Sequence, residues 1–368
     1  MHSANQLACL KPPLQMSSAS LYSKAFQRIS LAACSLAFIV IILGAYVRLS
    51  DAGLGCPDWP GCFGKITAPK DAQELSLARD AYPHVEVDSA KAWKEMIHRY
   101  FASFLGLLII GMAYLAWRNR KAEGQQLILP VLLVGLVIFQ GMLGMWTVTQ
   151  LVHPTIVTLH LLAGLLTLAL LFWVLIKHSR PWLSQLQQVR TGAAVRWLAR
   201  LSVPVLALQI FLGGWTSTNY VALYCPDFPT CQGQWLPQLN FDEAFVFFKD
   251  TSVNYEGGTL SLAAGVTVHF MHRVGALLTT LVLLTLGFLL LLQQQSVLRK
   301  QAWLLLFLLG LQISLGIANV LLVLPIPIAV AHNAGAALLL LGLLLINYSL
   351  SSTRNPVPTN PNTSRRSL

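Results

Sequence analysis

Apolar residues along this chain gather into eight runs, at approximately 29-48, 97-117, 127-147, 155-176, 198-217, 264-291, 302-323 and 327-348. Each is close to the roughly 20 residues that an α-helix needs to cross a bilayer. Short polar turns separate most of them, and two longer polar stretches, 49-96 and 218-263, interrupt the series. The pattern predicts an all-α membrane protein of eight transmembrane helices with no soluble domain.

Charge sharpens this picture. Only 11% of residues are charged, far below the roughly 25% of soluble domains. The net charge of +11 is not that of a nucleic-acid binder, because the basic residues sit in alternate loops. They fill the N-terminal segment, the 118-121 loop, the 177-200 loop, the 299-300 turn and the C-terminal tail. Cytoplasmic loops carry such an excess of Lys and Arg, so both termini are expected in the cytoplasm. Acids are complementary: among them only Glu123 falls on the inner side. The first run has no small-residue cleavage site after it and reads as a retained helix rather than a signal peptide.

The runs form a repeat. Cys56-Pro57-Asp58-Trp59-Pro60-Gly61-Cys62 returns in the second half as Cys225-Pro226-Asp227-Phe228-Pro229-Thr230-Cys231. Glu95-Met96-Ile97-His98-Arg99 returns as His269-Phe270-Met271-His272-Arg273. His160 pairs with His332, and Gln140/Gly144 with Gln312/Gly316, at nearly the same offset. The expected organisation is therefore two tandem four-helix bundles in the same orientation, as in parallel membrane repeats. The segments are 1-28 cytoplasmic, 29-176 the N-terminal half, 177-197 a cytoplasmic connector, 198-348 the C-terminal half, and 349-368 a disordered tail rich in Ser, Asn, Pro and Thr.

His98, His160, His272 and His332 all fall within about two turns of the expected outer end of an even-numbered helix, at matched depth. Ionisable groups inside a membrane are functional candidates; the blander alternative is interhelical hydrogen bonding. Two His on neighbouring helices, with no thiolate or carboxylate at their depth, suit the two axial positions of a haem iron, whereas zinc takes three or four ligands. Arg48, Arg99 and Arg273 are placed to pair with haem carboxylates, or simply to reach the interface. Glu95 shares a helix face with His98, and its counterpart in the second half is His269. A carboxylate in one half only points to chemistry there, against the plainer reading of an acid at a helix N-terminus. Cys56/Cys62 and Cys225/Cys231 lie on the oxidising side and form either structural disulfides or redox-active pairs. His153, whose counterpart is Pro325, is left without a role.

These residues together resemble the haem A synthase family, the CtaA/Cox15 group, in its bacterial cysteine-bearing branch. The resemblance rests on RLSDAGLGCPDWPGC at 48-62, EMIHR at 95-99, His160, CPDFPTC at 225-231, HFMHR at 269-273 and His332, and it departs at Phe63, where relatives often carry His. It implies oxidation of the C8 methyl of haem o to a formyl group, giving haem a for terminal oxidases. Substrate haem o, supplied by a haem O synthase, would be held between His98 and His160 with Glu95 as the catalytic carboxylate. A resident haem b would be held between His272 and His332, passing electrons to a further partner. The family places the chain as a multi-pass protein of the bacterial inner membrane, and a homo-oligomer is compatible with it. The main competitor is a di-haem membrane electron carrier of the cytochrome b kind, which leaves Glu95 and the cysteines unexplained. A quinone-linked thiol oxidoreductase leaves the four His unexplained, and a parallel-repeat transporter would need polar residues nearer the midplane.

Overall fold

The computed structural model describes residues 18–122, 125–178 and 191–351, with side chains described from residue 24. The N-terminal segment before residue 18, most of the connector and the C-terminal tail lie outside the described residues. Ten helices are found among the described residues: α1 (Ser18–Leu49), α2 (Ala72–Ala81), α3 (Ser89–Arg118), α4 (Ile128–Thr149), α5 (Pro154–His178), α6 (Ala193–Thr218), α7 (Phe241–Ala244), α8 (Leu262–Leu291), α9 (Ser296–Leu321) and α10 (Ile326–Leu350). Eight of them are long and apolar enough to cross a membrane, and no strand is present among the described residues, so the all-α membrane class holds.

Helix starts follow from capping chemistry rather than from hydropathy, and here the structure corrects the expected boundaries. The apolar run opens at 97, but α3 begins at Ser89 because Asp88 accepts hydrogen bonds from the Ala90 and Lys91 amides at 2.8 and 3.1 Å. Ser261 caps α8 in the same way. His98 and His272 therefore lie deeper along their helices than two turns, at roughly 14–15 Å of axial rise from the first residue, whereas His160 and His332 lie about 9 Å in.

α1 packs on α3 and α5, and α4 on α3 and α5; α6 packs on α8 and α10, and α9 on α8 and α10. α10 also touches α1 and α5, and α5 touches α6, joining the two sets. The turns match as well. Leu151 and Val152 after α4, and Val323 and Leu324 after α9, all adopt positive φ. In each turn the second of these residues donates back to the helix, Val152 to the Thr147 carbonyl and Leu324 to the Asn319 carbonyl. Non-glycine residues rarely enter this region, so its reappearance at the equivalent turn of the second set is a shared backbone design. The apolar core runs along the inner parts of the long helices, through Ile109, Met112, Leu168, Leu171, Leu286 and Leu343.

Candidate functional site

The first set of helices encloses a cavity of about 430 Å³. Arg48 from α1, Glu95, His98 and Arg99 from α3, and His160 from α5 all line it, with Trp59 and Pro60 of the cysteine loop at one end. Both His rings fit because a glycine faces each of them. A methyl group built on Gly44 would lie 3.0 Å from Cε1 of His98, and one on Gly144 3.7 Å from Cε1 of His160. Nδ1 of both rings is buried with no hydrogen-bond partner.

The second set repeats this arrangement. A methyl on Gly213 would lie 2.9 Å from Cε1 of His272, and one on Gly316 3.1 Å from Cε1 of His332. The two rings are within electrostatic reach of each other. Amides reach His in both sets: Gln140 Nε2 donates to the His160 carbonyl at 3.2 Å, Gln209 Nε2 lies 3.0 Å from His272 Nδ1 and donates to the His272 carbonyl, and Gln312 Nε2 lies 3.3 Å from His332 Nε2. No group of three or more His, Cys, Asp or Glu side chains that could hold a metal ion occurs among the described residues. Two facing imidazoles per set, seated on glycines, suit a planar metalloporphyrin held axially and not a bare structural metal.

Both cysteine pairs form disulfides, Cys56–Cys62 and Cys225–Cys231. Each loop is anchored to the helix beneath it through the residue three before the His. Glu95 Oε2 accepts from the Cys56 amide at 2.9 Å; in the second set His269 Nδ1 accepts from the Cys225 amide at 3.2 Å. Glu95 is only 5% exposed and forms an ion pair with Arg99. Arg99 also donates to the Asp58 and Gly61 carbonyls. Arg273 donates to the Cys225, Asp227 and Thr230 carbonyls at 2.7–2.8 Å, and its Nε lies 3.3 Å from Nε2 of His269. Both arginines thus hold their loops down, a role that adjacency to His did not reveal. Arg48 donates to the Ser217 carbonyl, lies 3.7 Å from Asp51 and packs 3.8 Å over the Tyr220 ring.

Sequence reasoning missed the glycines facing the imidazoles and Gln209; the repeated Gln-x-x-x-Gly spacing in α4 and α9 was the available signal for part of this set. It also missed Ser217, Thr218 and Asn333, which close the first cavity from α6 and α10. His153 is buried between the sets, edge-on to Tyr255 with ring centroids 5.2 Å apart, and contacts the Lys249 carbonyl.

This geometry can be set beside known proteins. Residues 27–344 match the COX15-CtaA family, described as cytochrome oxidase assembly proteins. A protein named heme A synthase from Shewanella oneidensis is 46% identical over 315 residues, covering 85% of this chain and 92% of that protein. Proteins of the same name from Halalkalibacterium halodurans, 28% identical over 72% of this chain and 76% of theirs, and from Mesorhizobium japonicum, 26% identical over 87% and 89%, are similar along most of their length. A match over most of the chain, together with a relative at that identity, means that this chain belongs to the COX15-CtaA family of cytochrome oxidase assembly proteins.

Proposed function

We propose that the chain is a haem A synthase of the bacterial inner membrane, oxidising the C8 methyl of haem o to a formyl group. In this reading residues 29-176 and 198-348 are two tandem four-helix halves with both termini cytoplasmic. Haem o, received from a haem O synthase, sits between His98 and His160. Haem b sits between His272 and His332, where it would supply one-electron transfer toward an external partner.

The exchange of Glu95 for His269 carries the reading. Both side chains accept the amide hydrogen of the first cysteine of their loop, so anchoring the loop does not require a carboxylate. What Glu95 adds is a charge and a proton-accepting oxygen on the wall of the first cavity. Removing hydrogen from a methyl group requires somewhere for protons to go, and a positioned carboxylate takes them or orients the water that does. The Arg99 guanidinium keeps the carboxylate paired while it waits, and Trp59 and Pro60 cover the cavity on the loop side. The imidazoles orient the porphyrin, setting which edge meets Glu95.

The test is to purify the protein, and its Glu95→Gln variant, from a host that makes haem o, and to identify the acid-acetone-extracted porphyrins by chromatography and mass. Wild type should yield haem b together with haem o, its hydroxylated form or haem a. Glu95→Gln keeps an acceptor for the Cys56 amide and should retain haem o while forming product at least about 100-fold more slowly, the loss that accompanies removal of a proton-transfer group. Only haem b, at both sites of wild type and with haem o supplied, would replace the enzyme with a di-haem electron carrier.

A further inference from the structure

The cavity holding His98 and His160 reaches the lipid-facing surface of the bundle. Ser103, Ile138 and Gly141 line it from α3 and α4, and all three are exposed, Ile138 by 59%. A residue that lines a cavity and also faces outward marks an opening, and this opening is the seam between α3 and α4. The seam is built from small residues with room beside them. A methyl group on Gly135 or Gly141 would meet nothing within 4 Å, and one on Gly106 would meet only a Val137 methyl at 3.9 Å.

The equivalent positions of the second half carry larger side chains. One repeat later, Ser103, Gly106, Gly135 and Gly141 become Leu277, Thr280, Phe307 and Ile313. A single exchange runs the other way, Ile138 to Gly310. Polarity along the first cavity is also ordered. Arg48, Glu95 and Arg99 stand near the loop end, whereas Ala37, Leu105 and Val137 form the deeper wall beside the seam. The cavity's 430 Å³ lies within the roughly 300–1,000 Å³ of ligand pockets.

Resting on the reading of haem o as substrate, we propose that the α3–α4 seam is the subsite for its isoprenoid chain, which leaves the cavity there and lies against lipid while the porphyrin stays between the two His. The bilayer then solvates the chain, so the protein needs no dedicated apolar tunnel. A haem without the chain does not use the seam, which accords with the bulkier residues at these positions in the half assigned to haem b.

The experiment installs the second half's residues, Gly141→Ile and Ser103→Leu, and titrates purified full-length protein carrying its resident haem with haem o and, separately, with protohaem, which lacks the chain. Loading of the first site is read from extracted porphyrin per chain. The expected result is a loss of haem o affinity of roughly tenfold or more, the discrimination a filled apolar site produces, with protohaem loading and resident haem unchanged. Ile138→Gly, which opens the seam further, should load haem o at least as well as wild type and guards against a general packing defect. Haem o binding as in wild type, or equal loss of both porphyrins, would overturn the proposal. If wild type itself loads no haem o, the substrate reading fails first and is recognised as the cause.

Discussion

Replacing Gly213 by Ala should weaken haem binding at the site proposed between His272 and His332 without unfolding the protein. The added methyl would stand 2.9 Å from Cε1 of His272 and 3.6 Å from both ring nitrogens. Carbon atoms pack at roughly 3.5–4.0 Å, so the imidazole must retreat by about 0.6–1 Å. It has little freedom to do so, because Gln209 holds the ring and the backbone carbonyl behind it. Overpacking of this kind costs about 1–3 kcal/mol, which corresponds to roughly a 5- to 150-fold loss of haem affinity. The helix itself gains, since Ala is better than Gly in a helix interior by about 0.5–1 kcal/mol. Gly44→Ala should act equally, at 3.0 Å from His98, but on the first site alone. Gly144→Ala places its methyl at an ordinary 3.7 Å from His160 and should cost nothing measurable.

The assay is haem per chain and haem identity after purification, with thermal unfolding of the haem-free proteins as the check on folding. Gly213→Ala should lose haem b and keep the first-site porphyrin; Gly44→Ala should do the reverse. If Gly144→Ala lost as much as Gly44→Ala, or if Gly213→Ala emptied the first site, the pairing of each glycine with one imidazole would be wrong.

Arg273→Ala removes three charge-assisted bonds to carbonyls of the second cysteine loop, each worth about 1.5–3 kcal/mol in comparable settings; Cys225–Cys231 should then be reduced and alkylated faster under mild thiol, with Cys56–Cys62 unchanged, as read by mass. Asp227, in the same loop, is held down to about 2 by the Thr230 hydroxyl and then by the Gly233 and Gln232 amides. Its folded value lies below its unfolded one, so the stabilisation is fully present above the ordinary carboxylate range and is lost as pH falls through about 2. Pepsin cleavage within 221–240 should accordingly stay slow at pH 4 and rise toward pH 2, and Thr230→Val should move that rise to higher pH.

The eight spans, the four His and the duplicated loops were legible because each depends on local pattern: apolar length, residue type at a fixed offset, and Pro between cysteines. Helix starts were not, since Asp88 begins α3 within a stretch too polar to register as apolar. The arginines were half legible. Their position after each His was visible, but their engagement by loop carbonyls depends on a chain reversal that hydropathy does not encode. Asn333 and Ser217 approach the first cavity only because α6 and α10 pack against α1 and α5, a long-range outcome. Glycines look like helix weaknesses in sequence, and only the imidazoles standing over them explain Gly44 and Gly213.

One difference between the halves bears on which of the two proposed sites would keep its haem. Gln209 holds His272; the equivalent position of the first half is Val40, whose side chain has no amide to offer. The exchange is coupled, because a methyl on Gly275 would collide with the Gln209 amide oxygen, and the first-half counterpart of Gly275 is Phe101. The second half therefore gives up a side chain to make room for an amide that fixes its ligand. With iron on Nε2, the His272 Nδ1–H must donate, so the Gln209 amide would turn its oxygen to it, and outer hydrogen bonds of that kind are worth about 10–100-fold in metal affinity. A resident cofactor benefits from that lock, whereas a substrate that must leave as product does not. Gln209→Val should raise the rate at which haem b passes to an excess haem-acceptor protein by about 10-fold or more, with His272 still its ligand by absorption spectrum. Val40→Gln with Phe101→Gly should retain the first-site porphyrin longer and slow release of product. Haem b that leaves Gln209→Val no faster than wild type would show that the lock lies elsewhere.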